Sequence, residues 1–295
     1  MELVFLGTSC MQPTKTRNHA GILLKYKKEH ILFDCGEGIQ RQMRIAGIKP
    51  AKITKLLITH WHGDHVFGIP GLLSSMGADQ STNVLHIYGP KGSKVYLKHM
   101  FKSFASKDII PYEVHEVSSG KVFENDEYMI KVEKLHHSVP CIGFSFTEKD
   151  RRRVDVAKAN KLKLEGPILG KLQEGKSVTV NGTKIKADDV TYIVQGKKIS
   201  YVTDTVPCRG ANLLAENSEV LICEGTHLDE IRDKSEKSRH MTVKQAALIA
   251  NENNVQKLIV THISNRYKST SDLVEEARSY FDNSIIAEDF LREQV

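Results

Sequence analysis

Short apolar runs recur along the chain, many with polar residues at alternate positions, and they read as strands. They begin with ELVFLG (2–7), GILLKY (21–26), HILFDC (30–35), KLLITH (55–60) and VLHIYG (84–89). YMIKVEKLH (128–136), IGFSFT (142–147), TYIVQ (191–195), KISYVTD (198–204), EVLICEG (219–225) and KLIVTHIS (257–264) follow. Several are continuous β-branched runs, as expected of strands covered on both faces. Helical spacing appears between them in GIQRQMRIAGI (38–48), KVYLKHMFKSFA (94–105), TVKQAALIANEN (242–253) and SDLVEEARSYF (271–281). Thr242 and Gln245 stand at capping-box spacing. Strands mixed with helices in this way predict a layered α/β architecture.

The chain also echoes itself. KLLITH and KLIVTH match in character, and KKEHILFD and QGKKISYVTD both end in aspartate, Asp34 and Asp204. Two related halves facing one another would bring these strand ends to one rim. One segment breaks the pattern. Residues 149–186 carry eleven Lys and Arg against four Asp and Glu, a net of +7, and no aromatic residue. The whole chain is only +6, so the rest is close to neutral. This segment reads as a basic insertion within a single domain spanning 1–295.

Composition narrows the class. With 295 residues, 40% hydrophobic and 26% charged, the chain can bury a substantial core. No apolar run is long enough to span a bilayer, and MELVFLGTSC lacks a signal-peptide pattern. The five cysteines are scattered without a CxxC pair, which predicts reduced residues and a cytoplasmic setting.

The chemistry is concentrated in HWHGDH (60–65). His60 and His62, two apart at a strand end, point the same way and can grip one ion. Gly63 is expected to let the chain turn sharply and re-aim Asp64 and His65 toward a second ion. One cluster cannot complete two coordination shells. His137, Asp204 and His262, all at or near strand ends, fit as the remaining ligands. Asp204 suits a bridge, since a carboxylate offers two oxygens, with Thr205 beside it as hydrogen-bonding support.

HWHGDH resembles the H-x-H-x-D-H signature of the metallo-β-lactamase superfamily, and the match runs in order through TS (8–9), FDCGEG (33–38), His137, Asp204 and His262. That resemblance implies a four-layer αβ/βα sandwich of two pseudo-symmetric halves with metals on the rim. PTKTRN (13–18), CEGTH (223–227), SRHMT (238–242), HISNRY (262–267) and GPILGKL (166–172) resemble motifs of the tRNase Z family within it. CEGTH departs from that family's pattern at Gly225 and lacks the leading histidine.

The tRNase Z resemblance implies a zinc-dependent endoribonuclease that removes the 3′ trailer of precursor tRNA, leaving a 3′-hydroxyl and a 5′-phosphate. It implies one zinc on His60, His62 and His137, and another on Asp64, His65 and His262, with Asp204 between them. His136 is the close alternative to His137, and alignment to Pro140 and Phe144 favours His137. Manganese is the alternative metal for such an oxygen-containing site. Asp64 is expected to accept the water's proton, His240 to protonate the leaving oxygen, and Glu224 to orient His240. The substrate contacts implied are Lys15, Arg17 and Asn18 near the 3′ tail, Ser264 and Arg266, and Arg151, Arg152, Arg153, Gly166, Pro167 and Lys171 on a tRNA-binding arm. The family's short members are homodimers, and no organic cofactor or membrane is implied. The rivals are another phosphodiesterase of this fold, a 3′ exoribonuclease, and a non-catalytic RNA-binding protein with structural zinc; the last would close its metal shell with four protein ligands per ion.

Overall fold

The computed structural model describes residues 1–105, 110–180 and 182–295. Two seven-stranded sheets form the larger of two compact units, which comprises Met1–Phe123, Ile130–Phe146 and Lys198–Val295. In spatial order the first sheet runs Arg292–Gln294, Glu2–Gly7, Gly21–Tyr26, Glu29–Phe33, Lys55–Leu57, Leu85–Gly89 and Tyr112–Glu116. The second runs Ser284–Ile286, Lys257–Thr261, Val220–Glu224, Lys198–Val202, Cys141–Glu148, Tyr128–Leu135 and Gly120–Glu124.

The apolar runs are continuous because both faces of each sheet are covered. On one face of the first sheet, Val4, Leu6, Leu23 and Leu32 pack with Ile39, Met43, Leu72 and Met76 of the flanking helices. On the other, Phe33 meets Phe144 and Tyr201 of the second sheet, with ring centroids 6.4 and 5.4 Å apart. The second sheet's outer face packs against the helices Arg209–Ala215, Val243–Glu252 and Ser271–Tyr280. Helix, sheet, sheet and helix thus stack in four layers, the α/β sandwich expected. Thr242 caps its helix as its spacing predicts: Gln245 N donates to Thr242 Oγ1 at 3.2 Å, and Thr242 N donates to Gln245 Oε1 at 2.9 Å.

Each sheet contains a parallel quartet. It begins at Glu29–Phe33 in one and Lys198–Val202 in the other. Asp34 and Asp204 follow these first strands, both left-handed at φ 53° and 51°. The internal echo is therefore exact in topology for the aspartates and offset by one strand for the histidines. His60 follows the second strand of its quartet, whereas His262 follows the third.

The smaller unit comprises Glu124–Met129 and Thr147–Lys197. RRRV (151–154) pairs antiparallel with TYIV (191–194), and Val178–Val180 forms a hairpin with Thr183–Ile185. Asn181, which falls within the basic segment 149–186, lies outside the described residues. The unit has its own aliphatic core of Ala159, Leu164, Leu172, Ile185, Ala187 and Val190. No described helix is long and apolar enough to cross a membrane.

Candidate metal centre

Loops at the strand ends of both sheets deliver the titratable groups. After Lys55–Leu57 the chain leaves the sheet, and His60 and His62 turn their ring nitrogens to within 3.1 Å of each other. The chain turns at Gly63 as expected, and Asp64 and His65 are re-aimed toward His262. Gly63 does not take the left-handed backbone; it opens a one-turn helix, Gly63–Val66, with His65 N donating to His62 O at 3.1 Å. A Cβ at Gly63 would meet the ring of Phe67, an exposed side chain that would have to shift aside.

His137, rather than His136, turns inward, with Nε2 3.2 Å from His62 Nδ1. His136 Nε2 instead meets Arg239 Nη1. His262 Nε2 lies 3.4 Å from His65 Nε2 and 3.6 Å from Asp64 Oδ2, and His65 Nε2 is 3.5 Å from the same oxygen. Asp204 stands between these trios. Its Oδ2 is 3.6 Å from His60 Nε2 and 3.8 Å from His137 Nε2, while its Oδ1 is 3.4 Å from His65 Nε2 and 3.3 Å from His262 Nε2.

These spacings test whether the residues suit metal ions. Nitrogen and oxygen ligands at about 2.0–2.2 Å in a tetrahedron are separated from one another by about 3.3–3.6 Å. The donors here sit near that spacing, in two sets that share one carboxylate, and the group fits.

Each inner imidazole is also held from behind. His65 Nδ1 donates to Asp34 Oδ2 at 2.8 Å, and His137 Nδ1 donates to Arg239 O at 3.0 Å. His60 Nδ1 meets Thr59 Oγ1 at 3.1 Å, and His262 Nδ1 meets Thr226 Oγ1 at 3.2 Å. A ring nitrogen that donates to oxygen leaves the other as a lone-pair ligand. Asp34, Thr59, Thr226 and the Arg239 carbonyl were not among the expected site residues. Thr205 turns elsewhere: its hydroxyl accepts from His136 N, its backbone N donates to Glu224 Oε1, and it is Thr203 Oγ1 that donates to Asp204.

Burial disfavours every charge in this cluster, and the charges answer one another. Burial, reinforced by His65, pushes His60 well below the usual imidazole range. Burial opposes charge on His65 and His262 too, yet Asp204 and neighbouring groups raise both. Burial also opposes ionisation of Asp64 and Asp204, yet the adjacent imidazoles hold both carboxyls far below their usual range.

His240 sits at the edge of the cluster. Its Nδ1 is 3.1 Å from Glu224 Oε2, which also accepts from Thr226 Oγ1 and Met241 N. Burial works against the cation, and Glu224 together with Asp204 overrides it, raising His240 to about 9. Cys10, Met11, Asp64, Phe67, His137 and His240 are among the residues lining the cavity over the cluster, about 420 Å³.

Proteins called ribonuclease Z match this chain from end to end. That of Methanothermobacter thermautotrophicus is 42% identical over 297 residues, covering 100% of this chain and 97% of its own. That of Microcystis aeruginosa is 40% identical, covering 100% and 96%. The chain belongs to the ribonuclease Z family. A family model described as anti-Pycsar protein Apyc1 matches residues 1–153. Among solved structures, the short form of human tRNase Z superposes with a TM-score of 0.75 at 27% identity, covering 100% of this chain and 99% of that one. The metallo-β-lactamase-fold protein YhfI from Bacillus subtilis gives 0.71 at 17% identity, covering 99% and 98%, a likeness of fold.

In this ribonuclease Z family chain, the two motifs at 13–18 and 262–267 line a single cavity of about 890 Å³, to which Lys15, Arg17 and Ser264 contribute. Lys15 and Arg266 are exposed. Arg17 and Asn18 are partly committed to the protein itself. Arg17 Nη1 donates to Thr8 Oγ1 and Ala287 O, both at 2.6 Å; Asn18 N donates to Asp289 Oδ2 and its side-chain amide to Glu37 O. In the smaller unit, Arg151, Arg153, Gly166, Pro167 and Lys171 are exposed. Arg152 braces its own strand pair, donating to Asp188 Oδ1 and Thr191 Oγ1 at 2.6 and 2.7 Å.

Proposed function

We propose that this chain cleaves precursor tRNA endonucleolytically at the 3′ side, at a centre holding two divalent ions, zinc first and manganese as the alternative. The reading is carried by seven donors at coordination spacing, Asp204 among them, in a ribonuclease Z family chain. His60, His62 and His137 would hold one ion and Asp64, His65 and His262 the other. Bound there, such ions lower the pKa of water and draw charge from phosphate oxygens.

The chain's own groups complete the reaction. Asp64 takes the proton of the attacking water. His240, steered by Glu224, gives a proton to the departing 3′ oxygen, which ends as the tRNA 3′-hydroxyl while the trailer keeps a 5′-phosphate. Lys15, Ser264 and Arg266 would meet the 3′ tail, and Arg17 and Asn18 would shape that loop. The basic residues of 149–186, as a tRNA-binding arm, suit contacts to the phosphates of an RNA helix, because the deep major groove of RNA admits few side chains. Homodimeric assembly, one subunit's arm serving the other's centre, belongs to the same reading. It predicts that an arm-deleted chain mixed with a His240→Ala chain regains cleavage.

The direct test is end-labelled precursor tRNA with and without chelator. One discrete cut with the stated ends, lost on chelation and regained with zinc or manganese, is expected. A ladder of single-nucleotide products, or no cut by fully loaded protein, would overturn it.

A further inference from the structure

A second group of donors lies on the first sheet, away from the centre described above. His86 belongs to the strand Leu85–Gly89; Glu113 and His115 stand two apart on the neighbouring parallel strand Tyr112–Glu116, the last of that sheet. His86 is paired with Glu113 and Tyr88 with His115, so strand alternation puts all four side chains on one face.

The distances are those of a ligand set. His86 Nδ1 is 3.3 Å from His115 Nε2 and 3.5 Å from Glu113 Oε2, and His115 Nε2 is 3.8 Å from the same oxygen. Both carboxylate distances exceed a normal N–H···O bond. All three lie near the separation of about 3.3–3.6 Å between donors around one ion. The rings are fixed in place: Tyr88 stacks on His115 with centroids 4.7 Å apart, and His115 stacks on His86 at 5.5 Å. The side chains of His86, His115 and Glu113 are 39%, 38% and 60% exposed, which leaves the outer side of the group to solvent or a further ligand.

We infer that His86, Glu113 and His115 form a separate binding site for one transition-metal ion of the zinc, nickel or copper class. Two imidazoles and a carboxylate suit those ions and do not suit magnesium or calcium, which favour oxygen alone. A bound ion would link an edge strand to the strand beside it, so it stabilises the fold and has no part in cleavage.

The test counts metal. Wild type, His115→Gln and Glu113→Gln are dialysed against buffered micromolar zinc, analysed for metal per chain, melted with and without zinc, and assayed on precursor tRNA. His115→Gln is expected to hold one equivalent less than wild type, to lose part of the zinc-induced rise in Tm, and to cleave at the wild-type rate. Glu113→Gln, altered at an exposed carboxylate, is expected to bind that equivalent roughly tenfold more weakly; it carries the comparison if His115→Gln does not fold. Equal metal content in all three proteins overturns the site and identifies the cluster as a hydrogen-bonded pair beside a carboxylate. Because the readout is a difference in metal count, it stands or falls apart from the RNA-cleavage reading.

Discussion

Asp34 shows how much of the centre is built by residues that never face the cavity. Fully buried, it accepts from Thr59 N, Thr59 Oγ1, His65 Nδ1 and Tyr201 OH, and so fixes which His65 nitrogen is free. Asp34→Asn should keep the donors in place but weaken metal affinity about 10- to 100-fold, read by competition with a chromogenic chelator. Unchanged affinity would remove Asp34 from this role. His240→Ala should retain the metal content and lose about 10²- to 10⁴-fold in single-turnover cleavage. Normal turnover by that variant would defeat its assignment. HWHGDH was legible because its ligands are contiguous. The partnership of Asp34 with His65 was not, since it crosses 31 residues and exists only once two parallel strands are paired. The repeated strand-end aspartate singled out Asp34 without disclosing its task.

At the level of elements, strands with apolar runs and helices with a regular stripe were readable, and Thr242 with Gln245 marked a helix start. Thr242→Ala should cost about 1 kcal/mol in denaturant unfolding. The helix Ile69–Ala78 was hidden by Gly68, Pro70, Gly71 and Gly77, which read as breakers. Burial of Ile69, Leu72, Leu73 and Met76 outweighs that local preference. The strands YEVHE (112–116) and GKVFE (120–124) were hidden by their charge, a usual trait at sheet edges, and each ends its sheet. In the smaller unit, Gly166 precedes the helix Pro167–Gln173 at φ 64° and ψ −142°, a conformation that a Cβ strains. Gly166→Ala should speed hydrogen exchange in that helix and slow precursor-tRNA cleavage, while hydrolysis of bis-(p-nitrophenyl) phosphate stays the same. Equal loss on both substrates would place the damage in the centre instead.

Across the whole molecule, charge is segregated: the basic excess lies in 149–186 and the remainder is nearly neutral. RNA binding should therefore depend on salt mainly through that segment. Replacing Lys161, Lys163 and Lys171 with serine should lower the log–log salt slope of precursor-tRNA binding by about 2 to 3. An unchanged slope would put the phosphate contacts elsewhere. The reach of the centre along the chain has a further consequence. His65 and His262 meet across 197 positions, Asp204 arrives from the second sheet, and the full set needs every residue from His60 to His262. A chain still on the ribosome, its last third not yet made, has only a partial grip on any ion. Competence to cut RNA then comes on abruptly and late in synthesis, and a half-made copy poses no hazard to the transcripts around it.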